Sequence, residues 1–455
     1  MLIEQLKKIV GPKGWSTDSI DLEPKLTDWR GTVSGTTPIV VSPATTEEVA
    51  AIVRACAESK VGLVPQGGNT GMCAGAIPDK SGTQILLCLA RMNTIRDIDA
   101  INYSMEVEAG CILQDVQDAA SDVDRLFALS LGAEGSCQIG GNLSTNAGGV
   151  NVVRYGTARA QVLGLEAVLA DGTIVSSLRS LRKDTAGYDL KQLFIGSEGT
   201  LGIITAATLK LFPLPGAKTT VMIALQSSGQ AVRLLSYLRS KIGDRIEAFE
   251  LVSSFVFGLI KKHLPDSKQP FDDDSPWYVL ADFAGIAEED LQQALMAAME
   301  AELVIDVVIA KNAAEAAGMW HLRHSISESE RAEGEALKHD ISVPISRFEE
   351  FLTRGDSLLA ERFPEGQLIA FGHVGDGNLH YNVALPAGFK RHQEVTEAIY
   401  TLLLEVGGSI SAEHGIGMVK RQDLPKYRNS GEIRLMRTLK KSLDPDNILN
   451  PGKVI

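Results

Sequence analysis

Apolar residues in the first part of the chain recur with spacings typical of helices and strands in turn. From Val49 they fall at i, i+3, i+4 and i+7, with Thr46 and Glu48 near a cap, which predicts an amphipathic helix. Asp171-Gly172 separates two apolar segments and predicts a hairpin within residues 163–175. Further strands are predicted near residues 62–65, 85–89 and 104–109.

The pattern up to about residue 215 predicts a mixed α+β region with long glycine-rich connections. Pro213 and Pro215 mark its boundary. Beyond them, helices and strands alternate again. The predicted helices lie near residues 229–242, 288–301, 312–333, 392–407 and 431–443, and the predicted strands near residues 219–225, 277–283 and 302–309.

The composition excludes several classes of protein. The 455 residues suffice for two or three domains at about 150 residues each. The net charge of −13 disfavours nucleic-acid binding as the main function. No apolar stretch reaches the roughly 18 residues of a membrane helix, and the start lacks the apolar core of a secretory signal. The five cysteines form no CxxC pair, so no disulfide framework is expected. We therefore expect a soluble, cytoplasmic protein without a transmembrane segment.

Three segments concentrate glycine with small hydroxyl and amide residues. They span residues 65–75, 132–149 and 196–205. Glycine lets a ligand approach the main chain, and successive N–H groups can form a nest for an anion such as pyrophosphate. A single such loop is usually an ordinary turn, but three beside strands favour a large phosphorylated cofactor. No Rossmann GxGxxG, ATP P-loop or GxSxG nucleophile motif accompanies them.

Two of the eight histidines lie in the segment of residues 371–382, FGHVGDGNLHYN. Asp376-Gly377 predicts a two-residue hairpin turn there. With that turn, His373 lies directly opposite His380, with Cβ atoms about 4.5–5.5 Å apart. Both imidazoles could then reach one metal ion, and Asn382 shares the face of His380. The alternative is a histidine pair on a polar hairpin face without a metal.

A second motif, SAEHGIG at residues 411–417, contains Glu413 and His414. Two histidines and one carboxylate with open positions are the usual ligands of a catalytic divalent metal. Zinc is our first choice, and manganese or iron would fit the same ligands. His414 could serve as a general base, since imidazole titrates near neutral pH.

Several cations lie upstream of these motifs. Arg323 and Ser327, four residues apart on a predicted helix, share a face. Lys338 begins an extended stretch. On pattern alone, these charges and the pair His321 and His324 fit a solvated surface as well as a site.

Together, these motifs resemble the FAD-linked oxidase family of the vanillyl-alcohol-oxidase fold. The resemblance is carried by PQGGNTG, GGNLSTNAGGVNVVRYG, GSEGTLGIIT, GHVGDGNLH, SAEHGIG and LDPDNILNPGKVI, in order from about residue 40 to residue 455. Within the family, the chain resembles the D-2-hydroxyglutarate dehydrogenases, with the D-lactate and glycolate dehydrogenases as near relatives.

The resemblance implies an α+β fold. A two-subdomain FAD-binding domain would occupy residues 1–215, a substrate- and metal-binding α+β domain with an antiparallel sheet residues 216–423, and a segment returning to the FAD domain residues 424–455. FAD would be bound non-covalently, because residues 66–73 contain no histidine for attachment.

The resemblance also implies roles for individual residues. The metal ligands would be His373, His380 and Glu413, the base His414, and the substrate contacts Arg323, Ser327, Lys338 and Asn382. Ser327 stands where the hydroxyglutarate enzymes have threonine. The FAD contacts would be Gln66, Gly67, Gly68, Asn69, Thr70, Gly71, Gly135, Ser136, Gly140, Asn142, Thr145, Gly149, Glu198, Gly199, Ile204 and Asn450.

The implied activity is the metal-assisted oxidation of D-2-hydroxyglutarate to 2-oxoglutarate, with hydride transfer to flavin N5. The electron acceptor would be an electron-transfer flavoprotein or a quinone, and a homodimer is open. Three alternatives remain: a D-lactate or glycolate type of dehydrogenase, a metal-dependent hydrolase without flavin, and a non-catalytic flavoprotein subunit.

Overall fold

The structure is a computed structural model that describes residues 1–265 and 267–455. The chain divides into two compact units. Unit 1 comprises residues 1–147, 157–214 and 414–455, and unit 2 comprises residues 148–156 and 215–413.

The bounds of the units differ from the predicted domains at two places, apart from Pro215, which was predicted in the FAD-binding domain and belongs to unit 2. Residues 414–423 were predicted in the substrate domain but belong to unit 1, and residues 148–156 belong to unit 2. The first difference arises because the backbone N–H groups of Ile416 and Gly417 donate to the carboxylate of Glu198, also in unit 1. A glycine-rich sequence gives no sign of such a long-range contact.

Unit 1 contains two main sheets and one short strand pair. In spatial order, the four-stranded sheet consists of Trp15–Ser16, Val40–Val41, Ile85–Cys88 and Leu63–Gln66, the five-stranded antiparallel sheet of Ile95–Asp99, Ser104–Glu108, Ile203–Lys210, Val162–Val168 and Ile174–Ser177, and the pair of Phe212–Pro213 and Arg125–Leu126. The helices are Leu2–Val10, Ser19–Leu26, Thr46–Ser59, Leu113–Ser121, Ile139–Ser144, Lys191–Phe194, Leu424–Tyr427 and Ser430–Leu443, with a 3-10 turn at Ala158–Gln161.

The helix Thr46–Ser59 shows how local sequence determines an element of unit 1. The Thr45 hydroxyl accepts the N–H of Glu48 and caps the helix one residue before the predicted position. The predicted apolar positions Val49, Ile52 and Val53 are fully buried in the core. The helix therefore covers the sheet with the face that its periodicity indicates.

Unit 2 is built on one antiparallel sheet. Within the described residues it has eight strands, ordered Asp306–Ile309, Lys218–Leu225, Trp277–Ala284, Ile246–Ser253, Gln367–His373, Asn378–Ala384 and Ala336–Leu337, with Asp340–Ser342 also paired to Asn378–Ala384. The helices are Val152–Tyr155, Ser228–Ile242, Ser254–His263, Glu288–Glu300, Ala313–His324, Ile326–Glu333, Phe348–Arg362 and His392–Glu405, with a 3-10 turn at Ile345–Arg347. The predicted α+β class is confirmed.

The predicted helix over residues 312–333 is interrupted. It forms two helices that meet at Ser325, whose hydroxyl donates to the carbonyl of His321. A side-chain bond to a backbone carbonyl in the preceding turn competes with the helical pattern and bends helices. Arg323 and Ser327 therefore lie on successive helices.

The predicted hairpin register is wrong by two residues. Phe371, not His373, lies opposite His380, and the loop has four residues, 374–377. Within this loop, the Asp376 side chain accepts the N–H of Asn378. The carbonyl of Gly377 accepts the N–H of Val343, which follows the strand Asp340–Ser342. Gly377 therefore belongs to a four-residue loop that contacts a neighbouring segment, and not to a two-residue turn. A shift of two residues preserves the face of every side chain, so His373 and His380 still share a face.

No helix within the described residues has the length and apolarity needed to cross a membrane.

Candidate active site

The three glycine-rich segments of unit 1 meet around one cleft. The sequence predicted thirteen of the residues that line it. They are Gln66, Gly67, Gly68, Asn69, Thr70, Gly71, Gly140, Asn142, Thr145, Glu198, Gly199, Ile204 and His414.

Four predicted cofactor residues do not line this cleft. The loop that carries Gly135 and Ser136 instead packs against Gly68. A Cβ at residue 68 would lie 2.0 Å from the carbonyl oxygen of Ser136, so this close approach requires glycine at residue 68. Asn450 donates its amide to the carbonyls of Gly75 and Glu198 and so supports the lining from behind. Gly149 belongs to unit 2.

Ten further lining residues were not in the set of predicted FAD contacts, although all lie in or beside the three glycine-rich segments or in the predicted strand at residues 85–89. They are Pro65, Cys73, Gly75, Ala76, Leu89, Cys137, Gln138, Gly141, Ser144 and Ile203.

The cleft presents unused hydrogen-bonding groups, and these indicate the chemistry of its ligand. None of the backbone N–H groups of residues 67–71 donates to an acceptor in the described parts of the chain. Gln138 Oε1 and Asn142 Oδ1 are buried and accept no hydrogen bond from described residues. Consecutive N–H groups suit a phosphate, and buried acceptors need a ligand that donates. The residues therefore fit a phosphorylated cofactor that also carries N–H or O–H groups.

Glu198 fixes the segment that carries His414. Its carboxylate accepts the N–H groups of Ile416 and Gly417 at 2.7 and 2.8 Å. Burial raises the pKa of this carboxyl, although the two N–H groups oppose the shift by stabilising its charge. The residue that lines the cleft thus also orients the backbone that follows His414.

In unit 2, the strand register places several polar side chains on one face of the sheet. Glu250 pairs with His373, and His380 pairs with Asp340. Because side chains alternate along a strand, Asn382 shares the face of His380. These side chains come from segments far apart in sequence, which the antiparallel sheet makes neighbours.

His380, Glu413 and Asp340 form a group able to hold a metal ion, with one ligand atom of each within 4.8 Å of the others. Nε2 of His380 lies 3.8 Å from Glu413, and its Nδ1 lies 4.0 Å from Asp340. Asp340 also accepts the backbone N–H of Glu413, and Gly149 donates to Glu413 Oε2. The acidic pair thus flanks His380 on both nitrogens.

His373, the third predicted ligand, lies beside this group. Its ring centroid is 5.8 Å from that of His380. Its Nδ1 bonds to Glu250, which directs Nε2 away from that carboxylate. A histidine that binds a metal through one nitrogen usually bonds a carboxylate through the other.

Glu250 is fully buried and also pairs with Arg323, whose Nη2 lies 2.8 Å from the carboxylate. Burial would raise the pKa of Glu250, but the charges of His373 and Arg323 lower it to about 2. Burial likewise lowers the pKa of His373, yet the charge and hydrogen bond of Glu250 raise it to about 9. The three groups form one charged network.

A second buried glutamate connects two predicted substrate contacts. Glu330 is 2% exposed and bonds Lys338 Nζ and Asn382 Nδ2, each at 2.9 Å. The sequence analysis missed Glu250, Glu330 and Asp340. The signal for Glu250 was a charged residue inside the apolar strand IEAFELV; acidic residues on a helix or in a short extended segment gave none for the others.

Other predicted candidates lie outside this group. Ser327 is exposed, and no bond joins it to Arg323 among the described residues. His321 is exposed, and His324 packs on the ring of Trp320.

Two family models match this chain and together span most of it. An "FAD binding domain" matches residues 37–177, and "FAD linked oxidases, C-terminal domain" matches residues 214–454. The fold and the cleft define an FAD-dependent oxidoreductase, and FAD carries the pyrophosphate and the donor groups that the cleft fits. The chain belongs to the FAD-linked oxidase family.

Curated relatives extend this result over the whole chain. A mitochondrial D-2-hydroxyglutarate dehydrogenase of Danio rerio is 38% identical over 96% of this chain and 82% of its own length. The D-2-hydroxyglutarate dehydrogenase of Xanthomonas citri pv. viticola is 37% identical over 99% of this chain and 96% of its own. A putative mitochondrial D-lactate dehydrogenase of Schizosaccharomyces pombe is 34% identical over all of this chain and 90% of its own.

A solved structure confirms the predicted fold. Substrate-bound p-cresol methylhydroxylase superposes with a TM-score of 0.79 over all of this chain and 96% of its own, at 17% identity. The predicted vanillyl-alcohol-oxidase type of fold is therefore confirmed, and an enzyme without flavin is excluded by the family.

The buried network around Glu250 predicts a large effect on stability. We expect Glu250→Ala to lower the free energy of unfolding by about 3–5 kcal/mol, because it leaves buried positive charge without compensation. Glu349→Ala, which breaks an exposed pair with Arg233, should cost less than about 1 kcal/mol. Urea unfolding measures the free energy of unfolding of both variants. If both variants lose less than about 1 kcal/mol, the buried network does not contribute the expected stability.

The same network predicts a pH dependence in protein treated with EDTA. The pKa of His373 is raised to about 9 from an ordinary value of 6.5. Its stabilising contribution is therefore complete below pH 6.5 and lost as the pH rises through about 9. The urea midpoint should fall over this range in the wild type. His373→Asn should remove that fall, whereas the exposed control His321→Asn should keep it; a wild-type midpoint that is flat from pH 6.5 to 9 refutes the prediction.

Proposed function

We propose that this protein oxidises D-2-hydroxyglutarate to 2-oxoglutarate with the help of a divalent metal. The observation that carries the proposal is the pair of cations Arg323 and Lys338, each oriented by a buried glutamate. Glu250 lies on the sheet face that carries His380, and Glu330 lies on the helix Ile326–Glu333. Two cations suit a substrate with two carboxylates. The names of the Danio and Xanthomonas relatives agree with this substrate.

His373, His380 and Glu413 are the proposed metal ligands, with Asp340 orienting His380 or completing the set. Neutral imidazoles and carboxylates are the ligands that zinc prefers at catalytic sites. When bound, the metal supplies a Lewis acid that lowers the pKa of the substrate hydroxyl. Glu250 then raises the basicity of His373 through its Nδ1.

His414 is the proposed general base. It lines the cleft of unit 1 and directly follows the metal ligand Glu413 in the chain. Consecutive Cα atoms are only about 3.8 Å apart, which supports a role for both residues in one reaction. His414 takes the hydroxyl proton, and Arg323, Lys338 and Asn382 orient the carboxylates. Ser327 stays a predicted contact.

FAD, bound non-covalently, supplies N5 as the acceptor of the hydride from the substrate Cα. An electron-transfer flavoprotein or a quinone is the proposed acceptor of these electrons. Oxidation of D-lactate is the second candidate, favoured by the Schizosaccharomyces relative. D-lactate has one carboxylate, so only one of the two cations could bind a carboxylate of this substrate.

An anaerobic titration tests the substrate. D-2-hydroxyglutarate should bleach the visible flavin band rapidly, because each cation can bind one of its two carboxylates, while the L-enantiomer should not. D-lactate should bleach the band slowly. A flavin that stays oxidised with D-2-hydroxyglutarate, or that D-lactate reduces faster, would overturn the proposed substrate.

A variant tests the proposed base. His414→Asn should lower the rate of flavin reduction by at least about 100-fold, since general-base catalysis contributes 10²–10⁴-fold. Stopped-flow absorbance gives the rate, and the flavin content serves as the control for an intact cleft. The exposed control His321→Asn should reduce at the wild-type rate. Unchanged reduction by His414→Asn would exclude its role as base.

A further inference from the structure

Glu330 joins two residues that the proposed function places on the substrate. Its Oε2 accepts from Lys338 Nζ and its Oε1 from Asn382 Nδ2. We propose that Glu330 is a positioning residue that sets selectivity for 2-hydroxy acids with a second carboxylate, an inference that rests on the proposed function.

The contacts show why Lys338 needs a positioning partner. A lysine has four rotatable bonds and a compact charge with no fixed direction. The Lys338 side chain is 28% exposed, whereas that of Glu330 is 1% exposed. The buried carboxylate therefore fixes the ammonium group at one place, and an ammonium with three donors still has hydrogens to offer a ligand.

The amide of Asn382 is fixed from both ends. Its Oδ1 accepts the backbone N–H of His339 at 3.1 Å, and its Nδ2 donates to Glu330 at 2.9 Å. These two bonds fix the orientation of the amide. One Nδ2 hydrogen is bound to Glu330, and the direction of the other is fixed as a result. One carboxylate thus orients two donors at once.

The strand Asn378–Ala384 sets the distance between Asn382 and His380, which belongs to the group able to hold a metal ion. Asn382 follows His380 by two residues on the same face, which corresponds to a rise of about 6.6–6.8 Å. A substrate with its hydroxyl end at His380 and Glu413 must extend along the strand to reach Asn382, which Glu330 joins to Lys338. A second carboxylate can make this contact, and a methyl group such as that of D-lactate cannot.

The charge balance supports positioning over simple attraction. Glu330 neutralises Lys338, so its presence weakens the field that would draw any anion. A site selected only for charge would lack this carboxylate. Its presence indicates that Lys338 recognises a carboxylate by geometry, which affects only substrates long enough to reach it.

The test compares Glu330→Gln with the matched control Glu328→Gln, an exposed position on the same helix. For Glu330→Gln we expect KM for D-2-hydroxyglutarate to rise at least about tenfold, with kcat within about threefold. The rate with D-lactate should change less than about twofold. Glu328→Gln should match the wild type with both substrates. Glu330→Asp, which keeps the charge but is too short to reach both partners, should show the same shift if Glu330→Gln does not fold.

A mutant cycle separates positioning from a structural role. If Glu330 acts through Lys338 and Asn382, then Glu330→Gln added to a variant with both Lys338→Met and Asn382→Ala should raise KM less than about twofold further. Equal losses with both substrates, or additive effects in the cycle, would overturn the inference alone. A wild-type flavin that D-2-hydroxyglutarate does not reduce would instead overturn the proposed function and this inference with it.

Discussion

The site of unit 2 depends on burying the negative charge of Glu250 in the middle of a sheet. A carboxylate removed from water is stable there only when opposite charges and hydrogen bonds replace its hydration. His373 and Arg323 supply both. The same requirement fixes the orientation of each partner, so one electrostatic constraint places both His373 and Arg323.

Carboxylates orient the rest of the site by the same means. Asp340 accepts the backbone N–H groups of Ala412 and Glu413 within unit 2, and Glu198 accepts those of Ile416 and Gly417 within unit 1. The short segment with Glu413 and His414 is therefore fixed on both sides of these residues. Buried carboxylates therefore fix much of the local backbone geometry in this acidic chain.

The cleft of unit 1 follows a different constraint. Its loops approach so closely that a Cβ on Gly68 would collide with a backbone carbonyl, and its unused N–H groups need an anion. Both properties belong to the backbone, which is why glycine, and not a charged side chain, characterises the cofactor region. In unit 2, by contrast, the polar groups that lie together belong to charged side chains.

The sequence by itself indicated several helices and strands, the glycine-rich segments and the histidine motifs, because periodicity and local turn chemistry are written within a few residues. It did not predict other elements, such as the helix Phe348–Arg362 and the strand Ile246–Ser253 that carries Glu250. It could place His373 and His380 on one face of the sheet, since a register shift of two residues leaves every side chain on the same face. It could not give their register, which depends on the contact of Gly377 with Val343. Only the tertiary structure joined Glu250 to Arg323 and Glu330 to Asn382, because their pairing arises from strand order and burial across long separations in the chain.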